Sequence, residues 1–379
     1  MLRITYQLTC APGEDPHAKA QDIALEQTAE MPLDTVAGDV AARLIGAVET
    51  VEPLDGGRWG TVIAYDDEAA GADVLQLVNL MFGGISMKSG ILITDLELSP
   101  AWLAAFPGPA FGIQGLRALC GVARRPLLCT AIKPMGLSAA RLADLAYRFA
   151  RGGLDVVKDD HGVTSQPSAP FPERVARCQE AVARANAETG GQALYFPNVT
   201  GTAPQLAERL ETARAAGCRG VLVSPLLQGL DAVRAMAGSS GLAILSHPTL
   251  GGVFFHADHG ISPGVLFGKL YRLIGADGVI YPNPGGRFQL AEAAARAINA
   301  NLRAEWGALR PALPVPGGGM DAARVPHWAE QYGPDTMFLV GSSLYAQGDV
   351  ENAARRLRET VERLIWRPAP APPSPRPAA

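Results

Sequence analysis

From about residue 126 onward the chain alternates short apolar runs with longer amphipathic stretches. The apolar runs fall at 127–133, 154–160, 193–199, 220–224, 242–247, 278–281, about 313–315, and 337–340. Runs this short, bounded by glycine or polar residues, have the length of buried parallel strands, not of helices. Between them, apolar residues recur at helical spacing, for example over about 138–151, within 170–188, from near 203, and over 349–364. Eight such strand-then-helix units over roughly 240 residues predict a (β/α)8 TIM barrel, for which about 250 residues is usual. An open doubly wound sheet more often stops at five or six strands.

Residues before about 110 lack this rhythm. Segments 3–10 and 61–65 alternate like strands, and 18–29 and 69–81 repeat like helices. The expected organisation is an N-terminal α+β domain of ferredoxin-like type (1–112) followed by a barrel catalytic domain (113–366). Residues 367–379 are almost entirely proline and alanine, a composition that predicts a disordered tail.

Composition narrows the function class. With 379 residues, 48% hydrophobic and 18% charged, the chain can build a large core. The net charge is −4 and the basic residues are scattered singly, which argues against nucleic acid as a partner. No apolar run reaches the ~18 residues of a membrane span, and the start runs into a strand-like pattern with no signal-peptide core. Five cysteines without C-x-x-C spacing read as reduced thiols. The expectation is a cytoplasmic enzyme acting on a small molecule.

In a barrel of this kind the reacting groups sit at the C-terminal strand ends. Those ends carry Lys133, then Lys158-Asp159-Asp160-His161, Asn198, Ser224, His247, Asn283, Gly317-Gly318-Gly319 and Gly341-Ser342-Ser343. The two glycine-rich ends lie where barrels often bind phosphate through backbone N–H groups; the plainer reading is tight turns. Strand alternation puts Lys158 and Asp160 on one face, towards the mouth. Oxygen donors suit Mg2+, but one carboxylate is too little unless CO2 adds a carbamate to Lys158. His161 is a candidate third ligand, although imidazole suits zinc, copper, iron or nickel better. Lys133 is a candidate general base or Schiff-base nucleophile, or half of a structural ion pair. Arg287, on a glycine-rich loop, is placed to close over a phosphate or enolate.

Three segments resemble the RuBisCO large-subunit superfamily. Phe106-Pro-Gly-Pro-Ala-Phe-Gly-Ile-Gln114 looks like the segment leading into that family's barrel. Thr130-Ala-Ile-Lys-Pro-Met-Gly-Leu-Ser138 is similar to the catalytic TIKPKLGLS segment with one residue deleted. Gly152-Gly-Leu-Asp-Val-Val-Lys-Asp-Asp160 is similar to GGLDFTKDD, which holds a carbamylated lysine. The resemblance covers nearly the whole chain. It implies that Lys158 is the carbamylation site, Asp160 a magnesium ligand and Lys133 the group that moves protons. It also implies a phosphate site at Gly318, Gly319, Gly341 and Ser342, and His247 as the active-site histidine. Glu26 would be an N-domain residue reaching the neighbouring subunit's site in a homodimer.

The departures from the family pattern are as informative. The family's KDDE ends here in His161, its mobile-loop lysine is Arg287, and the arginine after the active-site histidine is Pro248. A glycine near Gly83 replaces the asparagine that helps hold CO2, and Gly317 replaces a serine. The enolising half is kept and the bisphosphate and CO2-handling half is lost, the pattern of a RuBisCO-like (form IV) protein that is not a carboxylase. The resemblance implies Mg2+-dependent enolisation or isomerisation of a phosphorylated carbonyl substrate such as a methylthiopentose phosphate. The alternatives are decarboxylation or hydrolysis of a 3-oxo sugar-acid phosphate, a Schiff-base aldolase, and a non-catalytic binding protein.

Overall fold

The computed structural model describes residues 1–364, so the tail expected at 367–379 lies outside the described residues. Four strands form an antiparallel N-terminal sheet: β1 (Leu2–Thr9), β2 (Ala47–Leu54), β3 (Arg58–Tyr65) and β4 (Ile91–Glu97), in the order β4-β1-β3-β2. With helices Pro16–Glu26 and Val74–Phe82 between them, this is the βαββαβ arrangement of a ferredoxin-like fold. Alternate residues Leu2, Ile4, Tyr6 and Leu8 are fully buried and share a core with Ile23 and Leu77.

Two N-terminal features depart from expectation. The helix predicted over 69–81 is two helices, Asp67–Ala70 and Val74–Phe82. Gly71 breaks it with a left-handed φ of 55°, and the Asp73 carboxylate caps the second start by accepting from Leu75 N–H. Strand β2 escaped prediction because it is an edge strand carrying Glu49, Glu52 and Pro53, with no fully buried residue.

The barrel strands are β5 (Leu127–Ile132), β6 (Val156–Asp159), β7 (Leu194–Phe196), β8 (Gly220–Val223) and β9 (Ala243–Ser246). A short β10 (Gly260–Ile261) intervenes before β11 (Gly278–Pro282), β12 (Leu313–Gly317) and β13 (Met337–Leu339). Parallel ladders run β13-β5-β6-β7 and β8-β9-β11-β12. An Asn198–Leu222 bridge joins β7 to β8, and β12 lies beside β13, with Leu339 against Gly317. Eight parallel strands therefore close as the TIM barrel that the sequence predicts.

Alternation sorts each strand's side chains into two layers. Leu127, Cys129, Val156, Phe196, Leu222 and Leu245 fill the interior, while Leu128, Val157, Val221 and Ile244 pack outward. On β6 this carries Lys158 inward after Val156, and Asp159 outward after Val157.

Strand β10 leaves the barrel and pairs in parallel with β4, Gly260 against Leu92 and Ile261 against Ile93. Ser262 N–H donates to Ile93 O at 2.9 Å, and Lys269 Nζ reaches Asp95 Oδ1 at 2.5 Å. The N-terminal sheet thus anchors the segment after β9, and that same segment supplies Leu250, Gly252 and Phe255 to the site.

Candidate active site

A cavity of about 490 Å³ opens at the C-terminal ends of the barrel strands. Lys133, Lys158, Asp160, His161, His247, Arg287, Gly318, Gly319, Gly341 and Ser342 all line it. Glu26 does not. It ends helix Pro16–Glu26, where its carboxylate pairs with Lys88 Nζ at 3.0 Å, away from the cavity of its own chain.

The end of β6 divides its charges between two environments. Lys158 is 1% exposed, and its Nζ donates to Asp159 O at 3.1 Å. Burial lowers its amine pKa from the ordinary 10.5, against the opposing pull of Cys129, Asp160 and Asp159. A lysine pushed towards its neutral form is a nucleophile suited to CO2. Asp159 is buried outside the barrel wall, where it accepts from Arg174 Nε (3.1 Å), Tyr195 Oη (2.7 Å) and Asn198 N–H (2.9 Å). Both partners of the Arg174–Asp159 pair are 0% exposed. Arg174→Ala strands that carboxylate, and we expect a loss of about 3–5 kcal/mol in urea unfolding. An unchanged midpoint would show that the network does not hold β6 in place.

Asp160 Oδ1 lies 3.2 Å from His161 Nδ1 and accepts from Gly162 N–H at 3.2 Å. The His161 ring stacks on His247, with centroids 4.2 Å apart and planes at 12°. Thr249 N–H donates to His247 Nδ1 at 3.2 Å, which leaves Nε2 to carry the hydrogen of a neutral ring. Burial, then the Lys158 charge, holds His247 well below the usual histidine range; burial also lowers His161, with Asp160 opposing.

Lys133 follows β5, its backbone N–H donating to Tyr345 Oη at 3.1 Å. Tyr345 Oη in turn donates to Ala131 O at 3.0 Å. Lys133 Nζ stands 3.4 Å from Ser342 Oγ and 5.9 Å from the Tyr345 ring centre. Among the described residues no carboxylate forms an ion pair with Lys133, so the structural ion pair considered above is not found. Gly318 and Gly319 have φ values of 71° and 105°, which favour glycine. A Cβ on Gly319 would sit 2.6 Å from Arg287 N, and one on Gly341 would sit 3.2 Å from Lys133 Nζ. The backbone N–H groups of Gly318, Gly319 and Gly341 bond to nothing among the described residues. Arg287 is anchored there by its own N–H, which donates to Gly318 O at 2.9 Å.

Leu250, Phe255, Phe267, Ile280, Phe288 and Leu339 give the rest of the cavity an apolar wall. Neither this wall nor Tyr345 and Thr249 was read from the sequence. Thr249 could have been noticed, because a threonine two residues after a strand-end histidine is placed to bond the ring. The wall had no signal, since its members come from loops and strands far apart in the chain.

The residues present fit a divalent metal only in part. No group of three His, Cys, Asp or Glu side chains among the described residues could hold an ion. Asp160 and His161 supply two neighbouring donors, and Lys158 beside them is buried without a carboxylate partner within hydrogen-bonding reach. A carbamate on Lys158 would supply the missing anionic oxygen, so the donor set fits on that condition.

Comparison with known proteins finds relatives over most of the chain. Residues 112–361 match the family model of the ribulose bisphosphate carboxylase large chain, catalytic domain. The chain is 39% identical to ribulose bisphosphate carboxylase-like protein 1 of Rhodopseudomonas palustris, across 94% of this chain and 97% of that one. It is 40% identical to the 5-methylthioribulose-1-phosphate isomerase of Rhodospirillum rubrum, across 92% of each. The crystal structure of a RuBisCO-like protein from R. palustris superposes with a TM-score of 0.89 at 35% identity, covering 97% of this chain and 99% of that one.

Proposed function

The chain belongs to the ribulose bisphosphate carboxylase large-chain family, in its RuBisCO-like group, and from that premise we propose that it enolises and isomerises a singly phosphorylated ketose with an apolar tail, of the 5-methylthioribulose 1-phosphate type. The observation that carries this reading is the two-sided cavity. Free glycine N–H groups and Lys133 line one part of the cavity, with Phe288 beside Gly318, and Leu250, Phe255 and Phe267 line the part supplied by the segment after β9. A bisphosphate would place a second dianion against that wall and beside Pro248. A thioether or alkyl end buries there favourably.

In this mechanism the N–H groups of Gly318, Gly319 and Gly341, with Ser342 Oγ, hold the phosphate. Lys133 removes a proton from the hydroxyl-bearing carbon beside the carbonyl and returns it to the former carbonyl carbon, while the hydroxyl proton passes from that carbon's oxygen to the former carbonyl oxygen, so no redox partner is needed. His247, its Nδ1 engaged by Thr249, presents Nε2–H to a substrate oxygen. Arg287 steadies the developing anion. Asp160 and a carbamylated Lys158 would hold a divalent cation, Mg2+ on the family expectation, which would supply Lewis-acid polarisation of the carbonyl. Glu26 completes the site of a second copy in a homodimer, which accounts for its place outside its own cavity. No helix among the described residues is long and apolar enough to cross a membrane.

The test is proton exchange by NMR in D2O, with divalent metal and bicarbonate, over phosphorylated ketoses and 3-oxo acid phosphates. Metal-dependent deuterium uptake into a 5-methylthio ketose phosphate is the expected result. Uptake or CO2 release with the 3-oxo acid phosphates alone replaces it with the decarboxylase reading. Substrate trapped on a lysine by borohydride, without metal, replaces it with the aldolase.

A further inference from the structure

We infer that Tyr345 is a positioning residue for Lys133: its hydroxyl stands in for the missing next rung of the β5–β13 ladder and so fixes where the lysine amine enters the cavity. This role rests on the reading of Lys133 as the group that moves the proton, and adds to it a side chain that does not itself line the cavity.

The ladder pairs Leu127 with Met337, Leu128 with Phe338 and Cys129 with Leu339, and there its register ends. Val340 N–H still donates to Cys129 O at 2.9 Å, and the chain then turns at Gly341 into the short helix Ser342–Tyr345. Further along β5, the Ala131 C=O and the Lys133 N–H face the side that β13 has left, because alternate residues of a parallel strand bond to the same neighbour. Such backbone groups need partners away from water. Tyr345 Oη serves both, accepting from Lys133 N–H at 3.1 Å and donating to Ala131 O at 3.0 Å. A hydroxyl can do this because one atom is both donor and acceptor. Burial raises the Tyr345 pKa, so the oxygen keeps the hydrogen it donates. The ring is held edge-on by Phe149, with centroids 5.4 Å apart and planes at 72°.

The same side chain also flanks the far end of the lysine. Its ring centre lies 5.9 Å from Lys133 Nζ, within cation–π range. A general base must stay within hydrogen-bond reach of the proton it takes, and a misplacement of ~1 Å can cost about 10²-fold in rate. Without the hydroxyl, the backbone of Lys133 is freed at the point where β5 becomes a loop, and the amine spends less time in reach. The phosphate-holding N–H groups of Gly318, Gly319 and Gly341 are untouched by that change. The loss therefore falls on kcat and not on KM.

The experiment compares full-length wild type, Tyr345→Phe, Lys133→Met and the double variant by substrate deuterium exchange and by hydrogen exchange of the Lys133 amide. Tyr345→Phe keeps the ring and removes only the hydroxyl. Its Lys133 amide should exchange about 2- to 10-fold faster, the factor of one ordinary hydrogen bond. Its kcat should fall about 10- to 100-fold, with KM within a few fold of wild type. The double variant should be no slower than Lys133→Met, because the tyrosine acts through the lysine alone. Additive losses, or an unchanged kcat in Tyr345→Phe, overturn the inference and leave the proposed function standing. If Tyr345→Phe does not fold, the wild type decides: a Lys133 amide protected like those of β5 upholds the rung, and one that exchanges like an exposed loop overturns it. Faster amide exchange in Tyr345→Phe, with no deuterium uptake by any ketose phosphate on the wild type, upholds the rung and removes the enolase reading.

Discussion

Lys158→Met is expected to abolish turnover and metal binding together while leaving the fold at least as stable as wild type. Methionine is close to lysine in length, and at a fully buried site it fills the same volume without an amine to desolvate. The wild-type lysine has its pKa lowered by burial, so the unfolded chain binds more protons than the folded one between the folded value and 10.5. Stability then rises with pH across that window, and the folded lysine is the destabilising form below it. Removing the amine removes that penalty. The same sign governs activation, because only the neutral amine combines with CO2. At a fixed concentration of dissolved CO2, preincubation should activate the wild type progressively more as pH rises to the lowered lysine pKa, below 10.5, and should do nothing to Lys158→Met. Thermal unfolding, calorimetry with divalent metal and deuterium exchange check the three limbs separately. A variant that still binds metal in a bicarbonate-dependent way would refute the assignment of Lys158.

The barrel was legible because its strands are buried on both faces, so each appears as an uninterrupted apolar run. The N-terminal sheet was only half legible for the opposite reason. Strand β2 has water on much of its surface and little hydrophobic signal, and β10 is a two-residue strand whose partner lies in the other half of the chain. The site divides along similar lines. Lys133, Lys158 and Asp160 follow from strand position, and alternation alone sends Asp159 to the opposite face. What no local pattern could show is what these groups meet. Lys133 has Tyr345 beneath it, from a helix more than 200 residues later. His161 meets His247 through a ring stack that neither sequence neighbourhood announces. Glu26 marks a further limit, since it lies outside the cavity of its own chain.

In the proposed mechanism Lys133 moves the proton, and Lys133→Met should then lower the rate of substrate deuterium exchange by about 10²–10⁴-fold, the range of a general acid–base group. Its position next to Ser342 and Gly341 raises a competing account, in which the ammonium merely attracts phosphate. The two accounts separate kinetically. A group that acts in the transition state lowers kcat and kcat/KM alike, whereas one that only binds phosphate raises KM and leaves kcat in place. Ser342→Ala supplies the reference for the second pattern, because it removes a phosphate contact without removing the base. If Lys133→Met mimics Ser342→Ala, Lys133 belongs to the phosphate cradle and the proton must be moved by another group. The stacked histidines are then the nearest alternative, with His247 Nε2–H already aimed away from Thr249. If kcat falls and KM stays within a few fold, Lys133 is the group that moves the proton.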